Sequence, residues 1–329
     1  MNVEFHYYTI YYLAQQAGFT DSDCEILAYS SQYLDNALVS YTVEHEGGVY
    51  RTAITHHFGF WDTSQEWEVW IPFHFYPAGS SSATKRRDGE YNRLDVQPNS
   101  DRVKQMLKGA LKSRNLYRVG IALHTYADSW AHQNFSGRNE EWNRLDRRSP
   151  LPPIGHAQAR RDPDGLDQNW IDPRLTPPHD GVDNRARFLE AAGRIYRYLA
   201  TYNRQSFADE ELIISRLNRI LGDPNTPRSV RVADFVIECG MAEYSRTLWR
   251  RQAFRSGDTE RGEVELGELE SAMDKLNWLK DELLHKTRLL RREPVTANPE
   301  FFRSHLFMWD QAAQTQRQLN RAALADLRE

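Results

Sequence analysis

The chain has 329 residues, with 42 Lys and Arg against 46 Asp and Glu and a formal net charge of -4, which excludes a protein whose whole surface is a nucleic-acid footprint. With 40% hydrophobic and 27% charged residues it reads as a globular soluble protein, long enough for one large or two ordinary domains. Cys24 and Cys239 stand far apart and form no disulfide framework, and no leader or run of ~18 apolar residues is present, so a cytoplasmic chain without a membrane span is expected.

Residues 4–17, rich in aromatic and aliphatic side chains, read as a helix that stops at Gly18, with His6 in its first turn. Thr20 is a suitable N-cap for a second helix ending near Asp35-Asn36. A carboxylate at that end opposes the helix dipole and calls for a nearby cation, although a turn also accommodates it. Residues 38–55 alternate around Glu46-Gly47-Gly48 and predict a hairpin that delivers His56 and His57. Neighbouring histidines point in different directions, so one of the two is the expected ligand. The apolar run Trp67–Pro77 carries His74, which by itself reads as a core histidine, and residues 78–100, with Lys85-Arg86-Arg87, read as a surface loop.

Helices are expected over 101–113 and 116–135. The segment 136–183 is too long for an ordinary connector and holds His156, Asp162, Asp164 and the pair His179-Asp180. Five helical patterns follow, near 184–202, 208–221, 229–251, 263–290 and 299–327, with solvated charged faces. The expected architecture is a mainly α multi-helix bundle with a small β-hairpin and long loops: a core of 1–183 and a helical extension of 184–329 packed on it, available to a protein partner.

The most informative stretch is His124 to Phe135. His124, Asp128 and His132 are spaced by four, so each step turns only about 40° and all three share one helix face. Their spread of about 12 Å suits a row of ions rather than one, with Asp128 able to bridge. Imidazole and carboxylate suit zinc and other first-row metals, and paired ions clamp both oxygens of a phosphoryl transfer. The competing reading is a hydrogen-bonded polar face within a core.

Eight of the eleven histidines fall in the first 156 residues, interleaved with Asp35, Asp128 and Asp164. In that order, over residues 1 to about 165, the chain resembles the zinc-dependent phospholipase C and single-strand nuclease superfamily, whose helical members bind three zinc ions. Glu4-Phe-His-Tyr, Ala28 to Asp35, Ile71-Pro-Phe-His-Phe and His124 to Phe135 are closer still to a bacterial family of unassigned function.

The superfamily resemblance implies that Asp35, one of His56 or His57, His124 and Asp128 hold one ion. Asp128 would bridge to a second ion also held by His6, and His132 and His156 would hold a third. Arg160 stands where the superfamily has a further carboxylate, so Asp164 or Asp162 is the expected substitute. Superfamily enzymes often add the amine of a processed first residue; with His6 five residues in, that site is expected to be completed otherwise. His74 has no counterpart there.

The expected function is hydrolysis of a phosphodiester or phosphomonoester through a metal-activated water, with two or three zinc or other divalent first-row ions and with Asp35 as base or water orienter. Tyr7, Tyr8, Phe58 and Trp61 suggest either stacking of nucleobases or core packing. No stable nucleic-acid binding is expected. The alternative is a metal-stabilised structural or protein-interaction protein without catalysis.

Overall fold

The computed structural model describes residues 1–59, 63–79, 86–255 and 293–328. The chain opens with a π-helical stretch, Glu4–Thr9, that runs directly into α1 (Ile10–Gln16). The chain turns at Gly18, whose φ of 79° suits a residue without Cβ, and Thr20 caps α2 (Asp21–Asn36) by accepting from the Asp23 N–H. Antiparallel β1 (Thr42–His45) and β2 (Gly48–Arg51) follow, with His45 opposite Gly48. A second π-helical stretch, Glu66–Trp70, leads into the short α3 (Ile71–Phe73) and ends at His74.

Ser100 and Asn115 cap α4 (Asp101–Lys112) and α5 (Leu116–Ala131) through their side-chain oxygens. The ribbon β3 (Asn169–Ile171) and β4 (Gly181–Asp183) precedes α6 (Asn184–Tyr202), which Asp183 caps. The remaining helices among the described residues are α7 (Glu210–Ile220), α8 (Arg228–Cys239), α9 (Leu248–Ala253) and α10 (His305–Ala323). Between the last two, β5 (Val295–Thr296) pairs in parallel with β1.

Helix α5 is the axis of the structure. Every residue from Val119 to Ala131 is buried, because α2, α4, α6 and α10 all pack on it. A helix covered all round has no solvent face on which to place polar groups. The closest approach is to α2 at Gly120: a Cβ there would lie 2.5 Å from the Leu27 carbonyl oxygen and 2.6 Å from Ser30 Cβ. The main core draws on both sides of residue 183, joining Leu27 and Leu123 to Ile195, Trp249 and Trp309.

The mainly helical architecture and the hairpin match the sequence expectation, and several boundaries differ. Helix α5 ends at Ala131 rather than 135, since His132 leaves helical geometry and Asn134 adopts φ 67°. The pattern 229–251 breaks at Gly240, whose φ of 65° closes α8, and α9 begins only at Leu248. Segment 136–183 holds short 3-10 turns at Glu141–Asn143 and Ala157–Ala159 as well as the ribbon. The expected helix 263–290, with His285, lies outside the described residues, as do Phe60, Trp61 and Lys85. Among the described residues no helix is long and apolar enough to cross a membrane.

Candidate metal centre

Three groups of two histidines and one aspartate lie along the buried face of α5: His6, His124 and Asp128; Asp35, His56 and His74; and His132, His156 and Asp164. Helix α5 supplies His124 and Asp128, and its C-cap is His132. The two π-helical stretches bring in the partners from elsewhere, since His6 lies inside the first and His74 follows the second. Such insertions recur at functional sites because one extra residue per turn re-aims a side chain. Asp35 comes from the last turn of α2, and His56 from the segment after β2.

The separations suit ions. Four ligands at about 2.0 Å around a tetrahedral zinc stand roughly 3.3 Å apart. His6 Nε2 is 3.1 Å from Asp128 Oδ1, and His124 Nε2 is 3.1 Å from Asp128 Oδ2. His56 Nδ1 and His74 Nδ1 are 3.4 and 3.8 Å from Asp35 Oδ1. His132 Nε2 and His156 Nε2 are each 3.3 Å from an oxygen of Asp164.

Hydrogen bonding on the far side of the rings sharpens the assignment. His124 Nδ1 is 2.9 Å from the Ser31 carbonyl, and His74 Nε2 is 2.8 Å from that of Thr55. His132 Nδ1 is 2.7 Å from the His74 carbonyl, and His156 Nδ1 is 3.0 Å from that of Arg160. A carbonyl only accepts, so each of these nitrogens carries a proton, and the other ring nitrogen is the one turned towards the carboxylates. His74 Nδ1 and His124 Nε2 then face each other at 3.2 Å, both also near Asp128 Oδ2. Burial lowers the His74 pKa, but the contact with Asp128 and the charges of Asp35 and Asp128 raise it; a cation there would take the place of that proton, and a carbonyl behind the ring is the usual support of a metal-binding histidine. His6 is the exception, its Nδ1 being buried without a partner.

The electrostatics follow the same logic. Burial pushes the Asp128 carboxyl up, but the Met1 ammonium and His132, His124 and His6 outweigh it and hold the group well below the usual range. At Asp164, burial is outweighed by the Met1 ammonium, His156 and His132. At Asp35 burial is outweighed by His124, His56 and His6, and its carboxyl is also held low. Burial, with His124 and the Met1 ammonium, pushes His6 down to about 3. The Met1 amino group lies 2.6 Å from Asp128 Oδ1 and 3.1 Å from Asp164 Oδ1. Burial lowers its pKa, yet Asp128, Asp164 and Asp35 raise it to about 11. A positive group thus already sits between two carboxylates of the centre.

Most of the residues singled out in the sequence come together here. Of the adjacent histidines it is His56 that joins Asp35; His57 Nδ1 accepts from the Gly59 N–H, and His57 belongs to none of the groups. Asp164, not Asp162, completes the group with His132 and His156. His124 groups with His6, although its Nε2 is also 3.6 Å from Asp35 Oδ1. His74, which read as a core histidine, takes the third place beside Asp35 and His56; no spacing rule pointed to it. The Met1 amine also reaches the centre, where the sequence had placed no terminal amine.

Other candidates have structural roles. Tyr7 and Tyr8 are buried, the Tyr7 hydroxyl donating to the Ala242 carbonyl, so they pack rather than present a stacking surface. Phe58 stands edge-on to His56 at 4.6 Å between ring centres. Arg86, expected on a surface loop, is buried over the Trp142 ring and paired with Asp88, while Arg87 donates to the Leu175 carbonyl. Asp180 pairs with Arg87 at 3.6 Å.

The fold and centre define a mainly helical protein with buried His and Asp groups suited to metal ions. Residues 1–324 match the family of unknown function DUF6765, and the chain belongs to that family. Neither curated proteins nor solved structures include a match to this chain.

Proposed function

We propose that the protein is a zinc-dependent phosphoric ester hydrolase whose centre holds up to three ions. The observation that carries this reading is the repeated donor set. Each group offers two imidazoles and one carboxylate, one donor short of the closed four-ligand set typical of structural zinc. The flanks also reach solvent: Asp35 and His56 are each 24% exposed, and His156 and Asp164 are 21% and 27% exposed. The resemblance to the zinc-dependent phospholipase C and single-strand nuclease superfamily supports the same chemistry.

Divalent ions held by these groups would supply an acidified water and polarise a phosphoryl oxygen. The chain's own residues do the rest. Asp35, ionised and partly exposed, accepts a hydrogen bond from the attacking water and fixes its direction; its low proton affinity suits orientation better than proton removal. His124, His74, His132 and His156 are locked by carbonyls behind their rings, so the donors need little reorganisation. At the far flank, His156 and Asp164 are partly exposed, and an ester would approach there.

A second reading, ions that only hold the fold together, is favoured by the enclosure of the central group, where His6 and His124 are 0% and Asp128 is 1% exposed. Metal analysis of the purified protein, with hydrolysis of bis-(p-nitrophenyl) phosphate by wild type and Asp128→Asn, separates the two. Two or three zinc ions per chain, with turnover abolished in the variant, support the hydrolase. Bound zinc without turnover on any phosphoester supports the structural role, and a metal-free, folded, inactive wild type removes both.

A further inference from the structure

Arg160 sits in a backbone conformation that favours glycine. Its φ of 56° and ψ of -115° match the first central position of a type II′ turn, and the Asp162 N–H closes that turn on the Ala159 carbonyl at 3.0 Å. Glycine is the default there because a Cβ is strained at positive φ. The backbone alone therefore gives no reason for an arginine. Its carbonyl accepts from His156 Nδ1 at 3.0 Å, and any residue's carbonyl does that equally well.

The side chain is left unengaged. Arg160 and Arg161 are both exposed, and among the described residues neither guanidinium makes a hydrogen bond or an ion pair; Asp162 feels the charge of Arg160 without contact. The Arg160 carbonyl oxygen, about 2.4 Å from its own Cα, touches the ring whose other nitrogen faces Asp164. The residue that steadies the His156 ring through its backbone thus also carries an exposed guanidinium at the edge of this group. Charge points the same way. With one carboxylate per group, each divalent ion leaves a net positive charge, and the third group has an arginine beside it where another carboxylate would have neutralised more.

Resting on the hydrolase reading, we infer that Arg160 contacts the phosphoryl oxygens of a substrate held at the His132, His156 and Asp164 group and selects a dianionic phosphomonoester over a monoanionic diester. Planar guanidinium N–H pairs fit two terminal phosphoryl oxygens, and a monoester offers more of these than a diester.

The test uses the zinc-loaded full chain, titrated with inorganic phosphate by calorimetry and assayed on p-nitrophenyl phosphate against its bis ester. Arg160→Gly and Arg160→Gln remove the guanidinium, and the glycine variant also relieves the turn. The expected result is unchanged zinc content, at least tenfold weaker phosphate binding in both variants, a Tm at or above wild type for Arg160→Gly, and a wild-type preference for the monoester that collapses in the variants. Equal phosphate affinity in wild type and Arg160→Gly overturns the role of Arg160 and leaves the hydrolase reading intact. Zinc loss in that variant, or a wild-type preference for the diester, also overturns it. No phosphate binding and no turnover by zinc-loaded wild type overturns both.

Discussion

Restoring metal to the chelator-stripped protein should raise its melting temperature by an amount the structure allows to be worked out. Asp128, His6 and His124 are buried inside the helix packing, so an ion joining them binds the folded chain and finds no equivalent in the unfolded one. One ion contributes about 4 kcal/mol when its free concentration is roughly a thousandfold above Kd. At about 2.1 cal/mol/K per residue, 329 residues give an unfolding entropy of about 0.7 kcal/mol/K, so each ion is worth about 6 °C. Three ions should then add about 18 °C and two about 12 °C, measured by scanning calorimetry with zinc in excess. Asp128→Asn should start lower, because removing one partner of a buried charge pair costs about 3–5 kcal/mol, and should gain at least one ion's worth less from zinc. A stripped wild type whose melting point moves by less than about 2 °C with zinc, cobalt or manganese would refute the reasoning, since the three groups would then hold no ion.

Three further outcomes follow from individual contacts. His56→Ala should lose about one ion per chain by elemental analysis while His57→Ala keeps the wild-type count, because only His56 faces Asp35; equal losses would contradict the grouping. Asp95 is fully buried, and burial, partly offset by Gln97, Arg174 and Arg86, raises its carboxyl from 3.8 to about 7. A raised folded pKa means stability present in full below pH 3.8 and lost as pH climbs through about 7, on the order of 4 kcal/mol. Between pH 4.5 and 8 the urea midpoint of the wild type should therefore fall relative to that of Asp95→Asn, and a difference that does not change with pH would refute the raised carboxyl. Gly120→Ala should destabilise by about 1–3 kcal/mol in the same assay, since its methyl meets the Leu27 carbonyl and α2 and α5 must part; an unchanged midpoint would mean that the two helices are free to shift.

The parts of the centre legible in sequence were those within one helix or at the end of one. His124, Asp128 and His132 follow from 3.6 residues per turn, and Asp35 from the unfavourable place of a carboxylate at a helix C-terminus. What could not be read was how separate elements converge. His74 sits at the end of a three-residue helix after a π-helical stretch, and the extra residue in that stretch has no periodic signature. Choosing His56 over His57 required the position of Gly59, whose N–H engages the second ring. Helix α5 was drawn four residues too long because Asn134 at positive φ looks, in sequence, like any polar residue on an amphipathic pattern. The parallel pairing of β5 with β1 joins residues about 250 positions apart, and two short strands carry no sign of their partner.

The location of the centre bears on whether structural and catalytic roles compete. Burying an ionised Asp128 among α2, α4, α6 and α10 is costly unless positive charge accompanies it, and in the arrangement described the Met1 ammonium, 2.6 Å away, provides that charge. An ion in the central group would take over the same duty while bringing His124 and His6 to fixed positions. The flanking groups share Asp128 electrostatically yet open to solvent at Asp35, His56, His156 and Asp164. A buried central ion and exposed flanking ones would therefore divide the work, the first organising α5 and the others meeting the ester. Removing metal stepwise should then abolish turnover before it lowers the melting point by the full amount, because the exposed groups give up their ions first; simultaneous loss of both would place all the ions in one cooperative unit.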